Sequence, residues 1–182
     1  MRHVREIETD RLKLRRLCVA DGARISQWTS DPAVARMTCR IPLPHPVVAA
    51  EGFVLITRAR RDHVFAVDLR DEGLIGVIGA HPTATGAHEI GYWFGRPFWG
   101  QGYASEALSA FLSEAEDLGA LEAGHFVDNP ASGRVLEKAG FAYTGEQALK
   151  FSMARGQSAP SRRMLRPAVR RLDEARRAAH AG

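Results

Sequence analysis

Residues 96–106, Arg-Pro-Phe-Trp-Gly-Gln-Gly-Tyr-Ala-Ser-Glu, have the residue types and spacing to hold an anionic ligand. Gly100 and Gly102 stand just before a run whose apolar residues, Ala104, Ala107, Leu108, Phe111, Leu112, Ala115 and Leu118, recur at helical spacing. The first N–H groups of a helix have no partner inside it, and they point outward at the positive end of its dipole. Glycines let a ligand approach the main chain, so the pattern suits a phosphate or pyrophosphate. The segment before it, Glu89-Ile-Gly-Tyr-Trp-Phe94, reads as a strand. Strand, short loop, glycine turn and helix follow in the order of a cofactor cradle.

The elements that must position this cradle are legible on both sides of it. Residues 11–17 alternate and predict a first strand. Short helices are expected over 21–29 and 32–37, broken at Ser30-Asp31-Pro32. The prolines of Ile41-Pro-Leu-Pro-His-Pro46 exclude regular structure there, and Pro46 suits the first turn of a helix running to about Arg61. Residues 64–69 and 74–80 predict a hairpin around Arg70-Asp-Glu-Gly73, and 88–94 is then the fourth strand. Residues 121–127 are the fifth. Asn129-Pro130 at the start and Gly140 past the end delimit the next helix, with Asn129 as its N-cap. Residues 141–153 and 162–165 read as the last strands. The order predicts an α+β fold with a single mixed sheet.

With 182 residues and 45% hydrophobic content, the chain fits one domain, residues 1–166, followed by a basic tail, 167–182, read as a fraying or solvated helix. Residues 155–182 hold eight arginines against Asp173 and Glu174, while the rest carries 17 basic and 19 acidic residues. The net charge of +4 is therefore a terminal feature, and nucleic acid is not an expected partner. No run is long and apolar enough for a membrane span, and no leader is visible, so the expected location is the cytoplasm. Cys18 and Cys39 are solitary and read as buried small hydrophobes. His63, His81 and His88 lack metal-binding spacing, and no metal is expected.

Three motifs in register resemble the GNAT N-acetyltransferase superfamily. They are Glu89-Ile-Gly-Tyr-Trp93, Phe98-Trp-Gly-Gln-Gly-Tyr-Ala-Ser-Glu-Ala107, and Asn129-x-x-Ser132 followed by Glu137-Lys-Ala-Gly-Phe141. The branch is similar to the Rim-like enzymes that acetylate ribosomal-protein N-termini, and the resemblance spans residues 9–166. It implies a mostly antiparallel mixed sheet of about six or seven strands, flanked by helices and splayed between the fourth and fifth strands. It implies acetyl-CoA as cosubstrate, its pantetheine arm pairing with free backbone groups of Tyr92, Trp93 and Phe94. A bulge would aim an N–H near Phe94 at the thioester oxygen. The pyrophosphate would rest on the loop of Gly100, Gln101, Gly102, Tyr103, Ala104 and Ser105. Trp99 replaces the family's polar first loop residue, which matters little to a backbone cradle.

The same resemblance assigns roles to side chains. Glu89 is expected to take a proton from the acceptor ammonium through water; the plain reading is a strand carboxylate paired with an arginine. Asn129 is expected to bond the cofactor arm as well as cap its helix. Ser132 is expected near the sulfur as proton donor to the departing thiolate, or else is an ordinary third-position helical serine. Leu136 stands where many members place a tyrosine acid. Gly133 is costly inside a helix, about 1 kcal/mol relative to alanine. Trp28, His45 and the loop 155–160 fall where the family builds its acceptor channel, and read as packing or loop. The expected acceptor is a primary amine, either a protein N-terminus or a small molecule, and the expected state is a monomer or homodimer. Three other readings compete, one of them a basic-tail adaptor to RNA or ribosome through residues 167–182. A dinucleotide fingerprint fails because Ser105 occupies the third glycine's place and the turn comes late in the chain. A non-catalytic module binding CoA or a protein remains consistent with Leu136.

Overall fold

Val64-Phe-Ala-Val67 and Leu74-Ile-Gly-Val-Ile78 are nearly unbroken apolar runs, and both are buried on both faces at the centre of one sheet. The computed structural model describes residues 6–60, 63–84, 86–115 and 118–168. The strands are β1 (Glu6–Glu8), β2 (Leu12–Arg16), β3 (His63–Leu69), β4 (Gly73–Pro82), β5 (His88–Phe94), β6 (Leu121–Phe126), β7 (Ala142–Ser152) and β8 (Gln157–Arg166). The helices are α1 (Gly22–Thr29), α2 (Pro32–Ala35), α3 (Val47–Arg60), α4 (Tyr103–Glu114) and α5 (Pro130–Lys138). The sheet order is β1-β2-β3-β4-β5-β6-β8-β7. Only β5 and β6 are parallel; every other pair is antiparallel.

Alternating side chains feed two cores. Phe65, Val67, Ile78, Ala80, Ile90 and Phe94 pack with Leu108 and Phe111 of α4 and Leu136 of α5. Val64, Ala66, Leu74 and Val77 face the other way, against Ile25 of α1 and Ala50 and Val54 of α3, with Trp28, Phe53 and Trp93 at the margin. The sheet is thus a three-layer sandwich around the predicted cradle.

Eight strands are present among the described residues, one or two more than expected. β1 adds a pair to β2 through Glu6↔Arg15, Ile7↔Leu14 and Glu8↔Lys13. Three residues with one buried side chain are too short to show a period, so the sequence concealed it. β8 begins at Gln157 rather than near 162, because Leu149↔Pro160 through Ser152↔Gln157 keep the hairpin paired down to its turn. The expected loop 155–160 therefore shrinks to the turn before Gln157. Cys39 is exposed, against the expectation of a buried thiol, and Cys18 is half-buried. Of the expected tail, residues 169–182 lie outside the described residues.

The edge near β2 is held by one guanidinium. Arg15 donates to both oxygens of Asp21 at 2.9 and 2.8 Å, and to Asp68 of β3 at 2.6 Å. Burial opposes the Asp21 charge, but the bonds from Arg15 and the Cys18 amide outweigh it and hold the carboxyl below its usual range. A carboxyl depressed in the folded state contributes stability above its unfolded pKa of about 3.9 and loses it as pH falls through the folded value. Arg15→Met should cost about 2 kcal/mol at pH 7 by stranding two carboxylates. The deficit against the native chain should narrow below about pH 4, as followed by thermal unfolding across pH.

Candidate active site

β5 and β6 pair at only three positions, His88↔Leu121, Glu89↔Glu122 and Ile90↔Ala123. Beyond Ile90, β5 keeps its partner β4, and β6 keeps its partner β8 as far as Phe126↔Ser161. The sheet therefore opens between two strands that each remain paired on the outside. Gly95 N donates to Ile75 O at 2.8 Å, and His88 N reaches toward Ala120 O on the β6 side. Backbone direction alternates along an antiparallel ladder, so residues 89, 91, 93 and 95 bond toward β4 and 88, 90, 92 and 94 face the other way. Tyr92 N–H, Tyr92 C=O and Phe94 N–H consequently face the opening without backbone partners among the described residues. The Phe94 carbonyl is taken by the Trp99 indole Nε1 at 2.7 Å.

Two expectations are corrected here. Trp93, grouped with its neighbours for cofactor pairing, turns its backbone to Val77 of β4 and packs its ring toward the α1/α3 core. Strand alternation dictates this. The β4–β5 ladder also keeps one register from Pro82↔His88 to Gly76↔Phe94, so no bulge aims the Phe94 amide. The register shift falls one pair away, between Val67 and Asp68 of β3 against β4. Alternation alone suffices to point Phe94 N–H at the opening.

The glycine loop closes one end of the gap. Gly100 and Gly102 have φ of 75° and 83°, a region that favours glycine, and Gly102 caps α4 without any side-chain bond. Among the described residues the amides of Gln101, Gly102, Tyr103, Ala104 and Ser105 have no protein acceptor. A residue that sequence reasoning missed holds this loop: Arg11 Nη1 donates to Gln101 O at 3.1 Å, and its Nε to Glu106 Oε2 at 2.7 Å. Its guanidinium lies 4.5 Å from the Tyr103 ring centre. Glu106, in the first turn of α4, also accepts from Thr9 Oγ1 at 2.6 Å. Burial works against its charge, and the bonds from Thr9 and Arg11 prevail and lower its pKa. No local pattern could join residues so far apart in the chain.

The first turn of α5 bridges the opening. Asn129 caps the helix, its Oδ1 accepting from Ser132 N at 3.3 Å, which leaves its side-chain NH2 free. Ser132 meets β5: the Tyr92 hydroxyl donates to Ser132 O at 3.1 Å and lies 2.9 Å from Ser132 Oγ. Burial pushes the Tyr92 phenol up to about 12, against the opposing effect of its bond to Ser132. Gly133 meets β6 and β7. A Cβ there would run into the Tyr143 hydroxyl and come within 2.8 Å of His125 Nε2. Those two groups are bonded to each other at 3.0 Å. The costly helical glycine is thus the condition for α5 to sit close over the splayed strands. Leu136 is 1% exposed in the core and offers no proton.

Glu89 lies on the opposite face of β5 from Ile90, on the side of Trp93 and the α1/α3 core. It is exposed, and no hydrogen bond or ion pair of its side chain is present among the described residues, the arginine of its plain reading included. Partial covering of the Cys39 sulfur raises that thiol, Lys150 and Arg40 oppose the rise, and Glu89 adds to it. The carboxylate is therefore within electrostatic reach of Cys39 in the loop after α2. That loop is stapled to the β7–β8 hairpin by Met153 N to Cys39 O at 3.0 Å and Ser152 Oγ to Thr38 O at 2.8 Å. Asp128 adds a second staple, accepting from Arg155 at 2.9 and 3.0 Å and from Arg36 at 2.8 Å. Trp28 and His45 each make an intramolecular hydrogen bond. Trp28 Nε1 bonds Leu74 O at 2.8 Å, and buried His45 pairs with Thr29 Oγ1 at 2.7 Å, its pKa lowered by burial.

The acetyltransferase (GNAT) domain model matches residues 11–142. An uncharacterized N-acetyltransferase of Bacillus subtilis (strain 168), YoaA, is 32% identical over 148 residues, 76% of this chain and 84% of that protein. A GNAT-family acetyltransferase from Bacillus anthracis superposes with a TM-score of 0.76 at 25% identity, covering 90% of this chain and 98% of the other. RimL, a ribosomal L7/L12 alpha-N-protein acetyltransferase in complex with coenzyme A, superposes with a TM-score of 0.73 at 20% identity, covering 89% and 97%. Sequence and relatives together define an acyltransferase. More particularly, the chain belongs to the GNAT family of N-acetyltransferases, and it shares its fold with Rim-type members.

Gly133→Ala tests the account of α5. Alanine gains about 1 kcal/mol of helix propensity. Against that stand overpacking of about 1–3 kcal/mol and the displaced His125–Tyr143 bond. Urea unfolding should show a net loss of about 1 kcal/mol, and a more stable variant would refute the contact.

Proposed function

We propose that the chain transfers the acetyl group of acetyl-CoA to a primary amine by direct attack on the thioester. The observation that carries this reading is a pair of unpartnered backbone sets among the described residues, one at Tyr92 and Phe94 and one at Gln101–Ser105. The amides of Gln101–Ser105 fit a pyrophosphate, and Tyr92 and Phe94 offer the pairing groups an amide-bearing arm needs. Gly100 contributes by permitting close approach, and the free Asn129 amide is placed to bond the arm.

In this reading the thioester carbonyl accepts from Phe94 N–H, which stabilises oxyanion charge in the tetrahedral intermediate. The attacking amine must be neutral. Glu89, which makes no ion pair among the described residues, takes the surplus proton directly or through water. An α-amino group near pKa 8 is easier to deprotonate than a lysine near about 10.4, which favours an N-terminus or small amine over a lysine side chain. The sulfur departs toward Ser132. The ribosomal-protein substrate named for RimL supports a protein N-terminus as one acceptor class. No helix among the described residues is long and apolar enough to cross a membrane, and action in the cytoplasm is part of the proposal. Buried Leu136 favours one rival, a module that binds CoA without turnover.

Thiol release from acetyl-CoA across a panel of amines separates the two readings, since the rival gives none. Glu89→Gln should lower kcat at least tenfold and alter its pH dependence, while calorimetric affinity for CoA stays within about twofold. Gly102→Val, which forces a β-branched residue to a φ of 83°, should weaken CoA binding more than tenfold.

A further inference from the structure

Ser132 Oγ has one hydrogen-bond partner among the described residues, and that partner is not on its own helix. It is the Tyr92 hydroxyl, which crosses the opening from β5 and lies within reach of both Ser132 Oγ and Ser132 O. The helix itself has no phenol to offer, because position 136 is a leucine sealed in the core. Asn129 fixes the same turn from the other side by accepting from Ser132 N.

We propose that Tyr92 is a positioning residue for departure of the thiol: its phenol holds the Ser132 hydroxyl where that hydroxyl donates to the leaving sulfur. The inference rests on the acetyl-transfer reading and assigns a role within it. A phenol has one proton. At rest it points to Ser132 O, and the serine proton then points to the phenol oxygen. As the C–S bond breaks, its electron pair stays on sulfur, and the surplus proton on nitrogen goes to Glu89 or water. Ser132 O–H turns to the sulfur, and Tyr92 O–H turns from Ser132 O to Oγ. Two hydrogen bonds are exchanged and no O–H bond breaks. The phenol, raised to about 12, remains protonated at neutral pH, so this support is constant where amines react.

The test titrates the thiol of bound coenzyme A by its thiolate absorbance in the native protein, Tyr92→Phe, Ser132→Ala and the double variant. Calorimetry with desulfo-CoA, which lacks the thiol, is run on the same four proteins. The bound thiol in the native protein should ionise below the usual thiol value of about 8.5. Tyr92→Phe should raise that value by about half a unit, roughly a threefold loss of thiolate at a given pH. The double variant should match Ser132→Ala, and desulfo-CoA affinity should agree within about twofold throughout. An unshifted Tyr92→Phe, a double variant beyond Ser132→Ala, or a parallel fall in desulfo-CoA affinity would overturn the proposal. The last would make Tyr92 a mere bolt across the gap. A native protein that binds no CoA overturns this inference and the acetyl-transfer reading together. One that binds and ionises CoA as expected yet acetylates no amine sinks the acetyl-transfer reading and with it the role in thiol departure, leaving only the Tyr92–Ser132 effect on the bound thiol.

Discussion

The parting of β5 from β6 after Ile90 is the constraint on which the other features depend. Exposing backbone donors in the middle of a sheet is unfavourable, because each buried unpaired amide forfeits a bond it would make in water. The structure limits that cost. Both strands stay paired on their outer sides, three parallel pairs hold their base, and the first turn of α5 spans the opening. That turn touches β5 through Ser132 and β6 and β7 through Gly133. The gap is thus bounded by paired strands on both sides, closed at its base and spanned by α5.

The same strand serves two faces. Even-numbered residues of β5 direct their backbone into the gap and their side chains toward α4 and α5, where Tyr92 and Phe94 line the helices. Odd-numbered residues turn to the other side, where Glu89 stands within electrostatic reach of Cys39. A ligand arm in the gap and an acceptor arriving from the Glu89 side would meet at one strand. The 2.0-residue period separates their environments without any special device.

Where the information was local, the sequence was a good guide. Asn129-Pro130 and Gly140 delimited α5, and the two glycines before Tyr103 marked the loop, because caps and turns depend on adjacent residues. Alternation marked the central strands. What escaped was non-local. Arg11 reaches Gln101 and Glu106 from the far side of the sheet, and Tyr92 finds Ser132 across the gap. Gly133 looked like a defect until His125 and Tyr143 were seen beneath it. Trp93 was misassigned for a different reason: a motif names residues, whereas strand geometry decides which way each one faces. Short β1 and the start of β8 were hidden because three apolar-poor residues and a proline-containing segment carry too little pattern.

The Trp99 indole on the Phe94 carbonyl has one more effect. An open strand edge normally shows alternating donors and acceptors, and any passing extended chain can template on it. Here the last acceptor on that edge is already occupied, so Phe94 presents only a donor. A stray peptide would meet one mismatched rung at the place where a carbonyl oxygen would find its match. The indole thus removes one acceptor on which an extended chain could pair, and leaves the Phe94 donor facing the opening.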